Sequence, residues 1–144
     1  MSNIKLYELK KLQTHFPAAT IKDSKTAADF IRQFYGDDLE VFESFFVLML
    51  NKANKTIGYA KISQGGIAGT VVDVRIVMKY AVESLATGII VAHNHPSGNL
   101  KPSDGDKQIT YKLKSACLIM DVPLLDHVIL TADGYTSFAD EGLL

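Results

Sequence analysis

Two stretches of the chain are apolar without interruption, Phe45 to Leu50 and Ile89 to Ala92, and both have the length of a strand rather than a helix. Unbroken runs of this kind mark strands covered on both faces. After the first, the polar Asn51–Lys55 turn leads into Thr56 to Ile62, which returns as the second arm of a hairpin. Leu124 to Leu130 reads as a further strand, Ala132-Asp133-Gly134 as a turn, and Tyr135 to Phe138 as a short last strand. Elsewhere the apolar residues recur at helical spacing. Ala27, Phe30, Ile31 and Phe34 follow a candidate cap at Ser24 and stop at Gly36. Val74, Val77, Met78, Ala81, Val82 and Leu85 follow Asp73 as cap, with Gly88 just past the end. A third helix begins after Ser103, with Ile109, Leu113, Ala116 and Cys117 on one side. Gly65, Gly66 and Gly69 mark a loop or bulge.

The alternation of strands and helices predicts an α/β fold, a mixed central β-sheet flanked by helices. Residues 1–39 read as an N-terminal helical accessory segment, including Leu6–Leu12 ahead of Pro17, and residues 40–144 as the main domain. There is no internal repeat and no low-complexity tract.

Composition narrows the function classes. The chain has 144 residues, 47% hydrophobic and 22% charged, the profile of one globular domain with a real core. A net charge of −1 exerts no general pull on nucleic acid or anionic lipid. No apolar run approaches the roughly 18 residues of a membrane span. The lysines within Met1–Leu12 interrupt any signal-peptide core. A single cysteine, Cys117, excludes an internal disulfide, suits a reducing cytoplasm, and lies on the apolar helix face as a core residue.

The chemistry-bearing residues gather after the second buried run. Side chains two apart on an extended segment point the same way, so His93 and His95 face one side and Asn94 the other. The Pro96–Pro102 loop turns the chain back, and Asp106 in the first turn of the next helix can reach the same point. Two imidazoles and a carboxylate fill three positions of a tetrahedral zinc and leave the fourth open, the pattern of a catalytic rather than a structural site. Such a site activates water for attack on a carbonyl. It also needs a general base and a donor for the developing oxyanion. Ser103, three residues before Asp106, is the candidate donor. Glu43, an acid set immediately before a buried apolar run, is the candidate base, although spacing alone does not bring it to the metal.

These residues carry a family resemblance. His93-Asn94-His95-Pro96-Ser97-Gly98, then Pro102-Ser103 and Asp106, resemble the RadC-type branch of the JAMM/MPN metallopeptidases, whose pattern is an upstream Glu, His-x-His, seven residues, Ser, two residues, Asp. The likeness covers roughly Glu40 to Leu144, including Leu125-Asp126-His127. It implies the MPN/JAMM (cytidine-deaminase-like) architecture and one zinc per chain held by His93, His95 and Asp106. It further implies Glu43 as acid/base, Ser103 as stabiliser of the tetrahedral intermediate, and a peptide or protein substrate. Asn94 stands where deubiquitinating relatives carry Ser or Thr, and it is the RadC-type choice. RadC-type proteins also have a longer N-terminal region of helix-hairpin-helix character. Residues 1–39 lack its glycine-bearing hairpins, which with the neutral charge sets nucleic acid aside as a partner of this chain.

Other readings of the same residues stay open. Ser103 and Asp106 also form a helix capping box, so capping and ligation compete for one carboxylate. Asn94 reads as a turn former bonded to backbone. Asp126 and His127 face opposite sides of a strand, either as a structural pair or with one of them supporting the metal site. The consecutive His-Asn-His is unrelated to nucleases named for those letters, in which the three residues are dispersed. A non-catalytic MPN-type scaffold and a DNA-repair-associated accessory protein are the alternative functions, and homo-oligomerisation is compatible with either.

Overall fold

The computed structural model describes residues 2–66 and 69–144. Its elements run α1 (Ser24–Arg32), β1 (Ser44–Leu50), β2 (Thr56–Gln64), α2 (Val74–Glu83), β3 (Gly88–Asn94), α3 (Asp104–Ile119), β4 (Leu124–Leu130) and β5 (Tyr135–Ser137). The strands form one mixed sheet in the order β2-β1-β3-β4-β5, with β3 and β4 parallel and the other pairs antiparallel. This is the predicted α/β class.

Every residue of β1 and β3 is buried because both faces of the sheet are covered. Phe45, Val47, Met49, Ile89 and Val91 pack toward α2 and α3, against Val77, Ala81, Leu113 and Cys117. Leu48, Leu50, Ile90 and Ala92 turn the other way, toward Ala27, Ala28 and Ile31 of α1. Period-two alternation thus divides the strand residues between two half-cores. Cys117 is core, as expected, and its burial pushes the thiol up to about 11.

The N-terminal region departs from the expected pattern. Leu6–Leu12 forms no helix, and Ile4, Leu6, Tyr7 and Leu12 are exposed. A short helix without a packing surface is marginal, and here none is offered. From Thr20 onward the chain belongs to the domain: Thr20 bridges to Lys55, and Ile21 and the buried face of α1 complete the second half-core. A division at residues 39 and 40 therefore does not coincide with a packing boundary.

Two helix ends also differ. The cap of α1 is Asp23, not Ser24: the Asp23 carboxylate accepts the Thr26 N–H at 2.8 Å and the Thr26 hydroxyl accepts the Asp23 N–H at 3.0 Å. Ser24 instead bonds Tyr135 and Asp140. Asp73 caps α2 as predicted, but the helix stops at Leu85, which is left-handed at φ 57°. Leu85 N–H donates to the Val82 carbonyl and Ala86 N–H to the Ala81 carbonyl, both at 3.1 Å, as in a Schellman ending. Gly88 is the first residue of β3, where a Cβ would press on Leu125. Leu85 is 84% exposed, so its side chain contributes little burial against the cost of that backbone. Leu85→Gly is expected to stabilise the fold by about 1 kcal/mol, read as a higher urea midpoint.

Candidate metal centre

β3 carries the first two site residues. His93 is buried inside the strand and His95 follows it on the same side, with their Nε2 atoms 3.0 Å apart. The start of α3 supplies the third. Asp106 Oδ1 lies 3.1 Å from His93 Nε2 and Oδ2 lies 3.2 Å from His95 Nε2. Metal–ligand bonds of 2.0–2.1 Å at tetrahedral angles separate neighbouring donor atoms by about 3.3 Å, and each of these contacts, with the carboxylate turning one oxygen to each imidazole, is close to that spacing.

The hydrogen-bond partners orient one of these donors without ambiguity. His95 Nδ1 is 2.6 Å from the Asn99 carbonyl oxygen, which can only accept. The ring proton therefore sits on Nδ1, and Nε2 of the neutral ring turns a lone pair into the site. Beside Asp106, the His95 imidazole is raised above its ordinary range, first by that carboxylate hydrogen bond. Burial would raise the Asp106 carboxyl, but hydrogen bonds from His93 and His95 outweigh it and hold the group far below the usual carboxylate range. Converging imidazole nitrogens and an ionised carboxylate form a donor set suited to a divalent cation.

Capping and metal-facing geometry turn out not to exclude each other at Asp106. Oδ2 accepts the Ser103 N–H at 2.9 Å, and Ser103 Oγ accepts the Asp106 N–H at 3.0 Å, a complete capping box. The same carboxylate still reaches both imidazoles. Ser103 is exposed and lines the cleft.

Glu43 enters through the sheet register. Phe45 pairs with His93 across β1 and β3. Continuing that register by two residues sets Glu43 opposite His95 on the same face. Its backbone is held by Glu43 N–H to the Gly66 carbonyl at 3.3 Å and Gly65 N–H to the Glu43 carbonyl at 2.8 Å. A Cβ on Gly65 would fall 1.9 Å from the Gly69 carbonyl oxygen, so only glycine allows this crossing of the loop. Glu43 Oε1 stands 4.0 Å from His93 Nε2 and 3.9 Å from His95 Nε2. Glu43, His93 and His95 thus offer donor atoms all within 4.8 Å of one another, with Asp106 closer still to the two imidazoles. These residues line a cleft of about 440 Å³, walled also by Phe45, Val72 and Ile109 and edged by Ser97, Asn99 and Lys101.

A family model for the RadC-like JAB domain matches residues 21–143. The chain belongs to that family. Curated relatives carry the name UPF0758 protein. The one from Flavobacterium johnsoniae is 58% identical over 101 residues, covering 70% of this chain and 44% of its own. That from Porphyromonas gingivalis is 44% identical over 126 residues, 87% of this chain and 55% of its own. That from Pelodictyon phaeoclathratiforme is 36% identical over 145 aligned positions, all of this chain and 65% of its own. This RadC-like JAB domain therefore spans about half the length of the relatives it matches. Among the described residues, no helix is long and apolar enough to cross a membrane.

Two residues of the JAB domain do more than their sequence context suggested. Asn94 is not in a turn but at the end of β3, fully buried and directed away from the cleft. Its Oδ1 accepts the Ser44 N–H at 2.8 Å, and its Nδ2 donates to the Leu39 carbonyl at 2.6 Å and the Phe42 carbonyl at 2.7 Å. It clasps the backbone on both sides of Glu43. Asn94→Ala leaves three backbone groups without that partner, and a loss of about 3 kcal/mol is expected in urea unfolding.

His127 is the second. It lies fully buried on β4, with Nε2 2.8 Å from His93 Nδ1 and Nδ1 2.6 Å from Thr110 Oγ1. Burial pushes its pKa well below the ordinary histidine range. Asp126 faces away from it, accepting from the Ser137 hydroxyl and the Ala139 N–H near the chain's end. The sequence signal for His127 was its place beside Asp126 in a mostly apolar strand, within the stretch that carries the family likeness.

Proposed function

We propose that this domain is a zinc-dependent hydrolase of peptide or isopeptide bonds, with one zinc per chain held by His93, His95 and Asp106. The observation that carries the reading is the set of contacts at 3.0, 3.1 and 3.2 Å among His93 Nε2, His95 Nε2 and the two oxygens of Asp106, faced by a second carboxylate at 3.9–4.0 Å. Bound zinc would supply Lewis acidity, polarising a carbonyl and acidifying water at the open position.

The chain's own groups supply the remainder. Glu43, too distant to share that compact set, takes a proton from the attacking water as its oxygen adds to the carbonyl carbon. It then returns that proton to the leaving nitrogen as the C–N bond breaks, giving an acid and an amine. The Ser103 hydroxyl, whose oxygen is engaged as the helix cap, keeps its hydrogen for the oxyanion of the tetrahedral intermediate. The apolar walls at Phe45, Val72 and Ile109 suit a polypeptide better than a highly charged polymer.

The test is a peptide and isopeptide library presented to the zinc-loaded protein, to the same protein stripped by chelator, and to the stripped protein with zinc restored. Cleavage that disappears and returns with zinc is expected. A protein that takes up no zinc, or cleavage indifferent to it, would sink this reading.

A further inference from the structure

We infer that His127 is a positioning residue that fixes the proton of His93 on Nδ1, through a buried relay running back to the helix that carries Asp106. The inference rests on the proposed metal reading only in what the cleft-facing Nε2 is for.

The relay follows from counting hydrogens. Thr110 Oγ1 lies 2.6 Å from the Asp106 carbonyl oxygen. Two oxygens that close need a hydrogen between them, and only the threonine has one to give. Thr110 therefore cannot also donate to His127, whose Nδ1 is 2.6 Å from the same hydroxyl oxygen, so that contact takes its hydrogen from His127 Nδ1. His127 is fully buried and its ring nitrogens meet Thr110 and His93 rather than a carboxylate, so it carries a single N–H and its Nε2 is an acceptor. The 2.8 Å contact between His127 Nε2 and His93 Nδ1 then takes its hydrogen from His93. His93 Nε2, 3.1 Å from Asp106 Oδ1, is then the nitrogen that faces the cleft, donating to that carboxylate while it carries a hydrogen and offering its lone pair to a cation once it does not.

Packing keeps the relay in one arrangement. Phe138 stacks on the His127 ring at 4.6 Å between centroids, and Phe45 meets it edge-on at 5.6 Å while lying parallel to His93 at 6.0 Å. Neither imidazole can turn without displacing an aromatic ring. The more usual partner for a ligating histidine is a carboxylate, a backbone carbonyl or water. A neutral histidine accepts the same hydrogen bond without adding negative charge next to Asp106 and Glu43. The relay also joins β3, β4 and α3, so both His93 and Asp106 are held by one connected set of bonds.

The experiment reads the tautomers of the metal-free full chain by long-range ¹H–¹⁵N histidine spectra at mildly alkaline pH, then titrates zinc against a competing chelator. A hydrogen on Nδ1 is expected for both His93 and His127. Thr110→Val removes the final acceptor without touching either imidazole of the pair's ligand face. It is expected to release His127 to the Nε2–H form, to push the His93 proton onto Nε2, and to weaken zinc binding about 10- to 100-fold. Thr110→Ser keeps the hydroxyl and is expected to behave as wild type, and His127→Leu should show the zinc loss if it folds. A wild-type His93 without a hydrogen on Nδ1, or a Thr110→Val protein binding zinc as tightly as wild type, would overturn the relay. If wild type takes up no zinc while His93 is the Nδ1–H form, the relay stands and the metal reading is what fails.

Discussion

Asp106→Asn protein, purified without added zinc, is expected to contain no stoichiometric metal, whereas wild type contains one zinc per chain. Asparagine keeps an oxygen for the Ser103 N–H, so the start of α3 stays capped and the variant stays folded, while the charge that faces both imidazoles is removed. Dividing roughly 10 kcal/mol of zinc binding over three ligands assigns about 3 kcal/mol to each, on the order of 10²- to 10³-fold in affinity. His93→Ala is expected to do the same from the strand side, because His93 lies against Asp106, His95 and His127 at once. Metal analysis with a chelator titration decides it. Retention of one tightly held zinc in Asp106→Asn would remove that residue from the ligand set.

Glu43→Gln should separate binding from turnover. The substitution is isosteric and leaves the backbone bonds to Gly65 and Gly66 in place. Zinc content is expected to be unchanged, with turnover of a cleaved peptide reduced about 10²- to 10⁴-fold, the usual worth of a positioned general base. The alternative is specific, because Glu43 groups with His93 and His95 within 4.8 Å. Were Glu43 a ligand, Glu43→Gln would lose the metal along with the activity. The distances argue otherwise. At 3.9 and 4.0 Å its carboxylate is farther from the imidazoles than a tetrahedral edge of about 3.3 Å, while Asp106 matches that edge.

Much of the site was legible because it is local. Two histidines separated by one residue at the end of a buried strand must face the same way, and a Ser three residues before an Asp at a helix start must cap it. Neither conclusion needs a third dimension beyond the pitch of a strand or a helix turn. The apparent competition at Asp106 dissolved only in the structure, because a carboxylate has two oxygens and enough lone pairs to serve a backbone N–H and a cation site together. Helix ends were less legible. Leu85 adopts the left-handed turn that glycine usually provides, so the nearest glycine in the sequence, Gly88, pointed to the wrong ending.

By itself the sequence determined the α/β class, the two buried strands, the shared facing of His93 and His95 and the Ser103–Asp106 cap, since each rests on periodicity within an element or on the order of elements. Tertiary structure alone decided that Glu43 arrives at the cleft, through a register linking residues fifty positions apart. It likewise decided that Asn94 turns its back on the cleft to hold the Glu43 segment, and that His127 and Thr110 stand behind His93. The physical reason is common to all three. Strand pairing and helix packing bring distant backbone together, and a buried polar group then takes whatever partner the fold provides, because leaving it without one costs more than any local preference.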